Sequence, residues 1–140
     1  MFILCSLISN AQETPVKWIT NYQASNANEG EIVITANIDK NWHIYSQRPT
    51  DAGPISTSFS FTPSKQYTLV GKTEELNAHE EFDKAFDAKI FVFNDKAEFR
   101  QKIKLTGKAG FVIPFKVEFM SCNDKMCLPP KTIDLSVKTQ

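Results

Sequence analysis

The sequence predicts an all-β domain, an immunoglobulin-like antiparallel β-sandwich, and three observations carry that expectation. Apolar and polar residues alternate with a period of two in short bursts, Gly, Pro, Asn and Asp separate the bursts, and helical periodicity is nearly absent. About nine strands at this spacing suit two packed sheets better than any alternation of strands with helices. With 140 residues, 41% of them hydrophobic, the chain is long enough for one core and short for two.

Taken in order, residues 1–12 form an apolar run that closes on Ser9-Asn10-Ala11, with small residues at the two positions an export cleavage site requires. They are read as a signal peptide without a basic n-region, leaving one domain over 13–140; the competing reading is a buried first strand. The run is too short to span a bilayer, which needs about 20 apolar residues. Cleavage near Ala11 would remove Cys5, which Leu4 already makes a poor lipid-attachment site. The mature chain is then expected to be exported, without membrane insertion of its own.

Val16-Lys17-Trp18-Ile19-Thr20 is the first strand. Glu31 to Ile38 and Trp42-His43-Ile44-Tyr45 follow as a hairpin around the polar turn Asp39-Lys40-Asn41. Ser58 to Phe61, Tyr67 to Val70, Lys89 to Phe93, Ala97 to Leu105, Val112 to Met120 and Thr132 to Val137 complete the set, with Asn94-Asp95-Lys96 and Gly107 to Gly110 as connections. Gln47 to Pro54 and Glu74 to Asp87 break the pattern and read as long loops. In the second, Phe82 and Phe86 sit among charges, where an aromatic ring needs a core to enter or a surface to cover.

Sixteen basic and sixteen acidic side chains cancel. No overall field recruits nucleic acid or an anionic membrane, so partner recognition has to be local. What chemistry there is concentrates in Cys122-Asn123-Asp124-Lys125-Met126-Cys127-Leu128-Pro129-Pro130, after one strand and before a double proline that stiffens the exit. Two cysteines so close cannot join opposite sheets, so any bond between them is local.

Three readings of the pair stay open on the residues alone. As a staple, a six-residue closed loop gains only about 2 kcal/mol, yet spacing by itself favours this reading, since small local disulfides are common in exported domains. As a redox couple, the pair offers an attacking thiolate, a resolving sulfur and access on a turn, with Lys125 favouring the thiolate and Asp124 opposing it. Zinc is the weakest reading, because His43 and His79 stand at no recognisable ligand spacing and each reads as a solvated residue of a strand end or loop.

Beyond the residues themselves, Val117-Glu118-Phe119-Met120-Ser121-Cys122 through Cys127-Leu128-Pro129-Pro130 resembles the redox segment of the N-terminal periplasmic domain of the thiol:disulfide interchange protein DsbD. Asn41-Trp42-His43-Ile44-Tyr45-Ser46 looks like that family's aromatic strand, Gly53-Pro54 with Phe59 and Phe61 like the segment after it, and His79-Glu80-Glu81-Phe82 like its cap loop. The resemblance implies an immunoglobulin-like fold and a periplasmic location. It implies electron transfer from a thioredoxin-like domain to thioredoxin-fold acceptors such as disulfide isomerases and cytochrome c maturation factors. Cys127 would form the mixed disulfide and Cys122 resolve it. Phe82, with Glu80 and Glu81, would form the cap, and Trp42 and Tyr45 would surround the site. Better-known members carry one residue more between the cysteines than the four here.

On residues alone, Trp42 and Tyr45 read equally well as core. Glu80 and Glu81 read as solvated loop carboxylates, and Phe86 and Trp18 as packing. With the resemblance, thiol:disulfide exchange through Cys122 and Cys127 becomes the leading expectation, with no cofactor because sulfur carries the electrons. The competing expectation is a non-catalytic β-sandwich binding module whose disulfide only stiffens a turn.

Overall fold

The computed structural model describes residues 14–140; the signal-peptide reading of residues 1–12 and Cys5 lie outside the described residues. The described chain is all-β and antiparallel, as the alternation predicted, with eleven strands: β1 (Val16–Ala24), β2 (Glu29–Ile38), β3 (His43–Tyr45), β4 (Ser58–Phe61), β5 (Tyr67–Leu76), β6 (His79–Asp83), β7 (Ala88–Asn94), β8 (Lys96–Leu105), β9 (Val112–Phe119), β10 (Ser121–Cys122) and β11 (Lys131–Lys138). They pair in the orders β1-β2-β8-β5, β10-β3-β7-β6 and β11-β9-β4.

Period-two patterning dictates which faces meet. Ile32, Ile34, Ala36 and Ile38 of β2 lie on the same face as Ala97, Phe99, Ile103 and Leu105 of β8. That face closes on Ile113, Phe115, Val117 and Phe119 of β9 to form the main core. Trp18 sits in that core against Phe59, Phe99 and Phe119, in keeping with a packing role. Fully burying each such side chain contributes about 1.5–3 kcal/mol.

The sheet β10-β3-β7-β6 is buried on both faces. Ile44 and Phe93 point into the main core. Their neighbours Tyr45, Ile90 and Val92 point the other way and join Met120 and Cys122 in a second cluster, covered by Ala52, Phe86, Ala88 and Cys127. Gly53, at φ 122°, lets the chain pass so close that a Cβ there would stand 2.8 Å from Phe86 Cδ1. Only glycine fits both the backbone angle and the space.

Two sequence expectations change. β2 and β3 are not a hairpin: β2 pairs with β1 and β8, while β3 pairs with β7 and β10 in a different sheet. The polar turn at 39–41, with Asn41 at φ 71°, reverses the chain across the sandwich rather than within a sheet. Turn chemistry specifies a reversal without specifying the partner. The stretch from Glu74 to Asp87 is also no long loop. β5 runs on to Leu76 past a bulge after Val70, and β6 pairs with β7 from His79↔Val92 to Asp83↔Ala88. An edge strand held by backbone bonds, with polar side chains on both faces, leaves no apolar alternation to read.

Candidate functional site

Cys122 and Cys127 are joined by a disulfide, their Cα atoms 4.0 Å apart. The local backbone brings them together. The Asn123 N–H donates to the Met126 carbonyl (2.8 Å) and the Leu128 N–H to the Ser121 carbonyl (2.9 Å). The cysteines thereby become a non-hydrogen-bonded antiparallel pair, the cross-strand position where Cα atoms and side chains are closest. Inside the turn, Asn123 Oδ1 accepts the N–H groups of Lys125 (2.9 Å) and Met126 (2.8 Å). This side-chain-capped turn is how four intervening residues suffice to close the bond.

The two sulfurs differ in access. Cys122 is 0% exposed, packed against Tyr45, Val92 and Met120, whereas Cys127 is only partly buried at the edge of that cluster. The residues flanking Cys127, Met126 and Leu128, help line a largely apolar groove of about 500 Å³ together with Trp42, Phe119, Pro129 and Pro130 among others. Met126, adjacent to Cys127, is half exposed.

On the opposite side of Cys122, the register sets His43 directly across on β3 and Asn94 beyond it on β7. His43 Nε2 lies 3.0 Å from Asp83 Oδ2 and 3.1 Å from the Tyr45 hydroxyl, and Tyr45 donates a short hydrogen bond to the same carboxylate oxygen. Asp83 Oδ1 accepts the N–H groups of Ala85 (2.8 Å) and Phe86 (3.2 Å), which fixes the turn that carries Phe86. Burial pushes the Asp83 carboxyl up, but hydrogen bonds from Tyr45, His43 and the Phe86 N–H, with the nearby His43, outweigh it and leave the group below its ordinary value. Burial, then the hydrogen bond and charge of Asp83, raise Tyr45 far above the usual phenol range, so its hydroxyl stays a donor.

A second polar group adjoins the first. Glu81 Oε1 lies 2.8 Å from His79 Nε2 and accepts from Asn94 Nδ2 at 2.7 Å. The His79 bond is the chief reason Glu81 is held below its ordinary range, against the desolvation that opposes it.

The site residues expected from sequence are thus sorted by the sheet. Tyr45 lies in the cysteine cluster and Trp42 in the neighbouring groove. Glu81 shares the cysteine face of β6, alternating with Phe82, while Glu80 is exposed. Phe82 is 58% exposed and pairs with Lys89, on the face opposite Asp83 and Glu81. Phe86, read from sequence as packing, is the ring on the cluster, edge-on to Tyr45 at 6.2 Å between centroids. His43, expected to be solvated, has a side chain only 14% exposed because Asp83 and Tyr45 hold it inside. Sequence reasoning missed His43, Asp83 and Phe86 as a unit. The available signals were the His-Ile-Tyr alternation of β3 and an aspartate two and three residues before the N–H groups it caps. Among the described residues, no group of three or more His, Cys, Asp or Glu could hold a metal ion.

The family model described as thiol:disulfide interchange protein DsbD, N-terminal, matches residues 11–139. No curated protein matches the chain. Among solved structures, the reduced DsbD N-terminal domain of Neisseria meningitidis is similar at 12% identity and a TM-score of 0.55, over 86% of this chain and 84% of that one. The N-terminal periplasmic domain of ScsB from Proteus mirabilis is similar at 14% identity and a TM-score of 0.58, over 88% of this chain but 45% of that one. The DsbD N-terminal domain in complex with the PilB N-terminal domain, also from Neisseria meningitidis, is similar at 12% identity and a TM-score of 0.52, over 85% and 80%.

Proposed function

The chain belongs to the family of DsbD N-terminal domains, and from that premise we propose that it is a periplasmic thiol:disulfide exchange domain working through Cys122 and Cys127. The observation that carries the reading is the asymmetry of the two sulfurs: Cys122 is sealed, whereas Cys127 is only partly buried, at the edge of the cluster. Exchange needs one sulfur that an outside thiolate can attack in line and a second that stays within reach to resolve the mixed disulfide. A staple needs neither.

In this reading a thioredoxin-like partner's thiolate attacks Cys127 Sγ. The Cys122–Cys127 bond breaks with its electron pair going to Cys122. The partner's second thiol then displaces Cys127, so the domain holds two thiols and the partner a disulfide. Passed on in reverse, Cys127 attacks an acceptor disulfide and Cys122 resolves it. Disulfide isomerases and cytochrome c maturation factors are the expected acceptors. The groove from Trp42 to Pro130 gives such a partner an apolar surface that includes Met126 and Leu128, the two residues flanking Cys127. The complex of a similar DsbD domain with a PilB domain supports a protein partner, and the periplasmic ScsB domain supports the compartment.

For the shield over the pair we take Phe86 in place of Phe82, with Glu80 and Glu81 as flanking carboxylates. Phe86 touches the cysteine cluster, and the one ion pair between its turn and the cysteine turn among the described residues is the exposed Lys84–Asp124 pair at 3.8 Å. Such a surface pair is worth little, so a docking partner can lift the turn.

The test is a trapping experiment with a thioredoxin-fold protein. Cys122→Ala should accumulate a mixed disulfide through Cys127, and Cys127→Ala should accumulate none. If neither variant traps a partner and the wild-type disulfide resists reduction below about −300 mV, the bond is structural and the domain a binding module.

A further inference from the structure

We infer that His43, oriented by Asp83 and Tyr45, delivers and removes the proton of Cys122 during exchange, making Cys122, His43 and Asp83 a thiol–imidazole–carboxylate relay. The inference rests on the exchange reading above. It starts from the desolvated position of the leaving sulfur. When a partner thiolate attacks Cys127, the electron pair of the broken bond arrives on Cys122, which is 0% exposed among apolar side chains. An unpaired thiolate there is penalised by desolvation, and water cannot protonate it directly.

One ring stands in the required place. His43 is directly across from Cys122 in the β3–β10 register, so the two side chains project from the same face of adjacent strands, with Cβ atoms about 5 Å apart. Its Nε2 is engaged by Asp83 on β6 and lies beside the Tyr45 hydroxyl. The Asp83 side chain is 1% exposed and its pKa is lowered, so it is a carboxylate and can only accept. Nε2 therefore carries a hydrogen, and Nδ1 is the nitrogen that exchanges a proton with Cys122. Tyr45 secures the carboxylate with its own hydroxyl and cannot compete as an acid, being held protonated. The arrangement is a nucleophile, a base and an orienting group, assembled from three strands.

The step balances without further reagents. As the partner thiolate bonds to Cys127 Sγ, the imidazolium gives its Nδ1 proton to Cys122 Sγ, leaving neutral His43 hydrogen-bonded to Asp83. In resolution, neutral Nδ1 takes the Cys122 proton as that sulfur attacks Cys127 of the mixed disulfide and the acceptor sulfur leaves. The groups that set the charge of His43 are Asp83 and Glu81 on β6, the latter joined to His79, with Tyr45 on its own strand, Cys122 on β10 and the uncharged Asn94 on β7.

The experiment is reduction of the oxidised protein by dithiothreitol in stopped flow, with each rate divided by the dithiothreitol thiolate concentration. For wild type the normalised rate should fall as pH rises and the imidazolium proton is lost. His43→Gln should be flat, and slower by on the order of 10²-fold at the acid end, the contribution of one positioned proton donor. Asp83→Asn should weaken the slope. A flat wild-type profile, or a slope retained in His43→Gln, overturns the relay. A merely structural His43 would lower the melting temperature of the variant without removing the slope. Should His43→Gln not fold, the wild-type and Asp83→Asn profiles still decide. Because dithiothreitol is the reductant, the result is separate from partner trapping, whose failure would count against the exchange reading instead.

Discussion

Replacing Phe86 by Ala should both destabilise the domain and quicken reduction of its disulfide. Truncating a fully buried Phe costs roughly 3–5 kcal/mol. Phe86 is only half buried, with one ring edge against Tyr45 and Gly53 passing close beneath it. About half of that cost, roughly 2 kcal/mol, is therefore expected. If the ring must leave its seat before a thiolate reaches the pair, the closed form imposes an opening penalty of similar size. Since 1.4 kcal/mol is a factor of ten, its removal should speed reduction by about 10- to 30-fold. Phe82→Ala is the matched control: a ring 58% exposed on the opposite face should change stability by no more than about 0.5 kcal/mol and the rate by less than about twofold. Urea melts give the first quantity, and timed alkylation of the released thiols under dithiothreitol gives the second. An unchanged rate in Phe86→Ala, or a larger acceleration in Phe82→Ala, would refute Phe86 as the shield.

Reduction of the disulfide should cost only about 2 kcal/mol, and so lower the melting temperature by roughly 6–10 °C, because the closed loop is short; a much larger drop by calorimetry would mark a structural staple. Asn123→Ala removes the acceptor for two turn N–H groups, at about 1 kcal/mol, and should raise the reduction potential by about 20 mV in a glutathione titration. An unchanged potential would mean the side-chain cap does not hold the cysteines together. Asp83 has a folded pKa below its unfolded value, so the native state binds fewer protons there and its contribution is present above the unfolded pKa. That contribution should be lost as pH falls from about 5 toward 2. Asp83→Asn should therefore cost about 2 kcal/mol near neutrality and progressively less in acid, and thermal melts showing a pH-independent difference would contradict this.

How much was legible depended on whether the signal was carried by one strand or by a relation between strands. β2, β8 and β9 were readable because their alternating faces enter the main core, where every second residue is apolar. β6 was not, because its backbone bonds to β7 need no apolar side chains. The same limit applies to the two phenylalanines of that stretch. Phe82 and Phe86 look equivalent as two rings in a charged stretch. Strand alternation turns Phe82 to the opposite face, while the turn capped by Asp83 brings Phe86 onto the cluster that holds Cys122, edge-on to Tyr45.

By itself the sequence determined the all-β class, most strand positions, the locality of the cysteine pair and the family, since all of these reside in alternation and contiguous motifs. Only the tertiary structure decided that β3 leaves β2 for another sheet, that Cys122 is sealed while Cys127 stays partly exposed, and that His43, Asp83 and Tyr45 converge on the face that carries Cys122. Those facts depend on residues about 40 to 80 positions apart meeting across strands. Pairing between distant strands is chosen by the packing of the whole sandwich, and no local pattern records it.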